Sequence, residues 1–209
     1  MIANTRLVEG VRSKLGVPYI YGALGRVYSE ADIRQFAREY PKTYTQTYLA
    51  KTIAKGAGKQ GFDCSGLIKY FLWGNPAPDG KFRYDASMDA PADRIYELAR
   101  EKGGIKTIPE LPGVLVWYGG HIGVYAGAGR VIEARGVDYG VVETRLADRP
   151  WSGWCKCLWI DYAAAPPTVD ECKKIIQERC KFSDPDGVWA VLDKHNHAGD
   201  LYRKWAGSY

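Results

Sequence analysis

The 209-residue sequence has no apolar run approaching the length of a membrane span, so nothing in it reads as a transmembrane helix. Its start, Met1-Ile2-Ala3-Asn4-Thr5-Arg6, lacks the apolar core of a secretory leader, and synthesis without a signal peptide is the expectation. Excess charge of one sign is small: 29 Lys and Arg against 24 Asp and Glu leave +5, scattered along the chain. That bias suits an anionic polymer or surface and falls short of a nucleic-acid signature. Cysteines number five. Cys155 and Cys157 stand two apart on an expected strand, and Cys172 and Cys180 would lie about 12 Å apart on one helix, so neither pair can bridge locally. The odd count leaves Cys64 unpaired, in keeping with a reducing compartment. There is no internal repeat and no low-complexity segment.

A hydrophobic share of 46% is enough for a proper core, in one domain plus an appendage. Leu7, Val8, Val11 and Leu15 predict an amphipathic helix over 3–15, closed by Gly16. Residues 26–60 hold two polar helical patterns, one from the Ser29 N-cap to before Pro41, the other from Thr43 to Ala54. Next comes a helix behind Cys64, a Gly-, Pro- and Asp-rich loop over 74–91, and a helix from Pro91 to Lys102. From Pro112 the texture changes to β-branched, alternating runs, ending with Trp154 to Tyr162, separated by Gly and Asp turns at hairpin spacing. Helices first and strands afterwards predict an α+β fold, with N-terminal helices packed on a five-stranded antiparallel sheet. Ala163-Ala164-Ala165-Pro166-Pro167 is a linker (163–167). The Thr168-Val169-Asp170-Glu171 capping box then opens a helical tail over 168–209, with further patterns around Val188–Leu192 and Leu201–Trp205.

The stretch Gly61-Phe62-Asp63-Cys64-Ser65-Gly66-Leu67 sets a cysteine at the start of an apolar helix. There the unpaired N–H groups of the first turn favour a thiolate. Taken alone, it fits a buried structural cysteine equally well. A cysteine nucleophile needs a basic partner, and that partner needs an orienting group. Of the three histidines, His195 and His197 fall in the tail, which leaves His121 in the sheet. Ile122, Val124 and Ala126 take the core face, so His121, Gly123 and Tyr125 share the other. A three-residue loop, Gly127-Ala128-Gly129, pairs Ala126 with Arg130 and Gly123 with Glu133. Glu133 then lies diagonal to His121, across a glycine that occupies no space. His195 and His197 with Cys155 and Cys157 match no closed zinc spacing, and no metal is expected.

Four blocks in one order carry a resemblance: Val17-Pro18-Tyr19-Ile20-Tyr21-Gly22, Phe62-Asp63-Cys64-Ser65-Gly66-Leu67, Pro112-Gly113-Val114-Leu115-Val116-Trp117 and His121-Ile122-Gly123-Val124-Tyr125. Together they resemble the NlpC/p60 family of papain-like cysteine peptidases, over residues 1–162. The resemblance implies a papain-like catalytic domain with 26–60 as a helical insert. It implies cleavage of bacterial peptidoglycan stem peptides, typically after γ-linked D-glutamate, without metal or cofactor. Cys64 falls on the nucleophile, His121 on the base and Glu133 on the third, orienting residue. Tyr19 falls on the tyrosine beside the nucleophile, and Asp63 and Ser65 on neighbours that shape the oxyanion and substrate pocket. The family usually carries His, Asn or Gln where Glu133 stands, and Asp where Val114 stands. A lysin of phage or prophage origin, acting on the wall after release, is the expected setting. An amidase or acyltransferase on the same scaffold, or a wall-binding module with a dead site, is the alternative.

Overall fold

The computed structural model describes residues 1–162 and 184–194, together with residues 173, 176, 177, 198, 199, 201 and 202. The chain divides into two compact units, 1–162 and 163–209. In the first, strand β1 (Ile2–Ala3) leads into helix α1 (Asn4–Arg12), which buries Leu7, Val8 and Val11. The helix ends earlier than its periodicity predicts, and Leu15 is 44% exposed.

Residues 26–60 hold more than two helices. Strands β2 (Leu24–Tyr28) and β3 (Lys59–Phe62) pair antiparallel and close the base, with α2 (Glu30–Glu39) and α3 (Gln46–Gly56) between them. Ser29 caps α2 in a reciprocal box with Asp32, and Thr45 caps α3. This segment has its own small core of Ile20, Ala23, Tyr28, Ile33 and Tyr44. Lys51 and Lys55 reach the Asp138 carboxylate at 3.1 and 3.4 Å, tying α3 to a turn of the main sheet.

Helix α4 (Cys64–Leu72) is buried from Cys64 to Phe71 and packs on α1 and on the sheet. Its apolar side chains explain the burial, and Lys69 joins them because its ammonium meets Asp89 at 2.5 Å. Asp63 is its N-cap, accepting from the Gly66 N–H at 2.6 Å, while its second oxygen accepts from Gly22 N–H at 3.1 Å. Gly66 is required here, since a Cβ would meet the Ala23 carbonyl oxygen at 2.1 Å.

Helix α5 (Ala92–Leu98) precedes an antiparallel sheet of six strands. They are β4 (Glu101–Gly104), β5 (Leu115–Tyr118), β6 (His121–Gly127), β7 (Arg130–Gly136), β8 (Gly140–Arg145) and β9 (Gly153–Lys156), in the order β4-β9-β5-β6-β7-β8. The α+β architecture and the helices against the sheet are as predicted; the strand count is six, not five. The extra strand takes the end of what periodicity assigned to the Pro91–Lys102 helix. Nor is the sheet a plain meander, since β9 returns to the free edge of β5. A short β10 (Ile160–Asp161) lies parallel to β1.

The sheet is covered on both faces. Ile122, Val124, Ile132, Ala134 and Val141 join α1, α4 and α5 in the main core, and Val114, Val116, Tyr125, Val131 and Trp151 form a second cluster. In the second unit, α6 (Pro185–Leu192) is capped by Asp184, and Tyr202 donates to Asp193 at 2.7 Å. The linker, Cys172, Cys180, His195 and His197 lie outside the described residues, as do the capping box and the end of the Leu201–Trp205 pattern. Among the described residues, no helix is long and apolar enough to cross a membrane, and no cluster of metal-ligating side chains is present.

Candidate active site

The start of α4 meets the start of β6. The Cys64 thiol donates to the Gly120 carbonyl oxygen at 3.9 Å, and the backbone N–H groups of Ile122, Ser65 and Cys64 itself face the sulfur. The β5–β6 turn that delivers this carbonyl is fixed from α5. One oxygen of Asp93 accepts from the Trp117 indole at 2.8 Å and from the Gly120 N–H at 2.7 Å.

His121 follows directly and is 8% exposed. Trp151 stacks on its ring at 5.6 Å and 18°, and Tyr118 lies at 5.0 Å on a tilted plane. Its Nε2 lies 2.7 Å from Oε2 of Glu133, which is wholly buried. Register brings the two together: Val124 pairs with Ile132 and Tyr125 with Val131, which sets Gly123 opposite Glu133. A Cβ on Gly123 would meet Val131 at 2.9 Å, Trp151 at 3.1 Å and Glu133 at 3.3 Å, so the approach depends on glycine. The hairpin loop is tighter than the three residues expected. Gly127 pairs with Arg130, leaving Ala128 and Gly129, both at positive φ. An irregularity between Tyr125 and Gly127 absorbs the difference, so the expected register holds from Tyr125 onwards.

Four hydrogen bonds reach Glu133. Besides His121, Thr144 donates to Oε1 at 2.9 Å, and Arg149 grips both oxygens, through Nε at 2.9 Å and Nη2 at 3.1 Å. Burial pushes the Glu133 carboxyl up, but the bonds from His121, Arg149 and Thr144 outweigh it and hold it below its ordinary range. An ionised carboxylate only accepts, so Nε2 of His121 carries the proton and Nδ1 of the neutral ring is left as its basic nitrogen.

Tyr19, 8% exposed, bridges Phe62 just before α4. Burial, and after it Cys64 and Asp63, push its phenol far above the ordinary value, so its hydroxyl stays protonated. Ser65 donates to Asp63 at 3.2 Å. Burial pushes the Asp63 carboxyl up against the bonds from Gly66, Ser65 and Gly22. Tyr19, Asp63, Cys64 and Ser65 thus gather at the start of α4, and His121, at the strand start beside the Cys64 thiol, links them to Glu133.

The helix start does not by itself make a resting thiolate. Burial, and then Asp63, push the Cys64 thiol up to about 12, against the N–H groups that pull it down. Alkylation of Cys64 by iodoacetamide is therefore expected to be slow at mildly acidic pH and to accelerate as pH rises. It should still precede Cys155 and Cys157, which are 0% and 3% exposed against 9% for Cys64. Peptide mapping of alkylated protein checks this; full-rate labelling of Cys64 in acid would mean a preformed thiolate instead.

Four partners were not foreseen: Tyr118, Thr144, Arg149 and Trp151. Thr144 had a signal, because strand parity puts it on the Glu133 face of β8, opposite Val131. Arg149 follows a 3-10 turn (Leu146–Asp148) in an irregular segment that periodicity cannot orient. Only the cost of burying a carboxylate beside a single histidine called for another cation.

No family model and no curated protein matches the chain. Among solved structures, NlpC/p60 domain proteins match it over most of its length. RipA, a resuscitation promoting factor interacting protein, aligns at 23% identity over 74% of this chain, with a TM-score of 0.45. The aligned region spans 62% of that RipA chain. The NlpC/p60 domain of the peptidoglycan hydrolase SagA aligns at 16% identity over 74% of this chain and 99% of its own, with a TM-score of 0.42. RipD from Mycobacterium tuberculosis, a non-catalytic NlpC/p60 domain protein adapted to peptidoglycan binding, aligns at 20% identity over 76% and 100%, with a TM-score of 0.44.

Proposed function

We propose that the chain is a cysteine endopeptidase of peptidoglycan stem peptides, cutting after γ-linked D-glutamate. The observation that carries the chemistry is the buried His121–Glu133 contact of 2.7 Å at the strand start against which the Cys64 thiol lies. Nδ1 of His121 takes the thiol proton as sulfur attacks the peptide carbonyl carbon. The oxyanion forms at the helix start, where the Cys64 N–H and its neighbours are aimed, with the Tyr19 hydroxyl as a further donor. As the C–N bond breaks, the amine leaves with the proton from Nδ1, and a thioester remains. Water then attacks the thioester with His121 as base, releasing a carboxylate and restoring the thiol.

The substrate class rests on the four sequence blocks that resemble the NlpC/p60 family, and the net charge of +5 suits an anionic wall. A lysin of phage or prophage origin, acting on the wall after release, belongs to the same proposal. Mass spectrometry of muropeptides after digestion is the test. A new D-glutamate carboxyl terminus supports the endopeptidase. A freed lactyl-sugar would replace it with an amidase, and unchanged muropeptides with binding alone.

A further inference from the structure

Glu133 is the most costly group in the site: a wholly buried carboxylate whose charge must be met within the protein. His121 can meet it only when protonated, yet a base has to spend part of its cycle neutral. Arg149 resolves the conflict, since it is charged throughout and binds both carboxylate oxygens. Its own place is fixed by a bond from Nη2 to the Tyr118 hydroxyl at 3.0 Å and by the Tyr118 and Trp151 rings at 5.7 and 5.9 Å. Both rings also pack against His121, and against each other at 5.3 Å. One side chain thus holds the orienting carboxylate and both rings that pack on the imidazole.

We propose that Arg149 is a positioning residue that cancels the charge of Glu133, so that His121 faces a neutral hydrogen-bond acceptor and is free to release its proton. The inference rests on His121 being the base of the reaction proposed above. Among the described residues, Tyr118 on β5 packs on the ring, and the Cys64 thiol on α4 lies against the carbonyl of Gly120 just before it. Asp63 and Asp93, at the starts of α4 and α5, are each bound to backbone N–H groups, Asp93 to that of Gly120. Arg149 is thus the cation that answers the buried Glu133 charge.

Two single substitutions should then act in opposite directions. In Arg149→Met the unanswered Glu133 charge keeps His121 protonated to higher pH, so less neutral base is present at neutral pH. In Glu133→Gln the acceptor survives but the Arg149 charge does not have its partner, and His121 loses its proton at lower pH. Glu133→Gln combined with Arg149→Met removes both charges and keeps the acceptor.

The experiment is an NMR titration of the His121 ring in the full chain and the three variants, run beside pH–rate curves for wall-peptide hydrolysis. The His121 midpoint should rise by about one pH unit or more in Arg149→Met, fall in Glu133→Gln and return towards the parent in the double variant. Hydrolysis at neutral pH should drop roughly ten- to a hundredfold in Arg149→Met and recover in the double variant. The acidic limb should follow the NMR midpoint. Midpoints that move together, or stay put, would overturn the role given to Arg149, as would losses that add in the double variant. If Arg149→Met does not fold, the Glu133→Gln and double-variant midpoints still decide the matter. Titrations that behave as expected in a parent without hydrolysis would instead overturn the peptidase reading and leave the charge relation standing.

Discussion

Cys64→Ala is expected to abolish hydrolysis of wall peptides, a loss on the order of a thousandfold or more, while the fold survives. No other described cysteine can take over. Cys155 and Cys157 are buried and their thiols are pushed up to about 12 and about 11, chiefly by burial. Water cannot substitute without loss, because the thioester route divides one difficult step into two easier ones. The same burial that pushes the Cys64 thiol up to about 12 means that the sulfur is poorly reactive without a proton acceptor. His121→Ala should therefore approach the Cys64→Ala loss, and combining the two should add little. Steady-state rates with circular dichroism of each variant check this. Substantial hydrolysis by folded Cys64→Ala would remove the nucleophile from the account.

Glu133→Ala is expected to cost both stability and rate. It leaves the Arg149 guanidinium, whose side chain is 15% exposed, without the carboxylate that binds it twice, and leaves Thr144 and His121 without their acceptor. Breaking a buried pair from one side costs about 3–5 kcal/mol, and losing an orienting group roughly ten- to a hundredfold in rate. The pH dependence has a definite sign. The Glu133 carboxyl is held below its ordinary 4.5, so its contribution to stability is complete above that value and is lost as pH falls through the lower folded value. Urea denaturation of the parent should show this acid-side loss, and Glu133→Ala should have that part of it removed. A variant as stable as the parent at neutral pH would mean that the network does not hold the sheet edge together.

What the sequence made legible was whatever strand parity and helix periodicity could orient. The diagonal between His121 and Glu133 followed from which residues had to face the core, and it survived an error in loop length. The error lay between Tyr125 and the turn, where one irregular residue restored the pairing. Strand β4 was not legible because Glu101-Lys102-Gly103-Gly104 lacks every β-branched and aromatic signal. Charge and glycine on an edge strand discourage further pairing and so erase the usual pattern. Strands β2 and β3 were hidden for a related reason, since Leu24-Gly25-Arg26 and Lys59-Gln60-Gly61 read as loop. Arg149 was hidden more deeply, because its partner is 16 residues away and no regular element orients it.

The parallel pairing of β1 with β10 has a consequence beyond the chemistry. Ile2 lies beside Ile160 and Ala3 beside Asp161, so the polypeptide enters and leaves the first unit at neighbouring points. A unit with adjoining ends is a cassette: one surface loop of a host protein can receive it without being stretched. The same adjacency lets its ends be joined and a new opening made elsewhere. The candidate site, built from α4, β6 and β7, would travel with it unchanged.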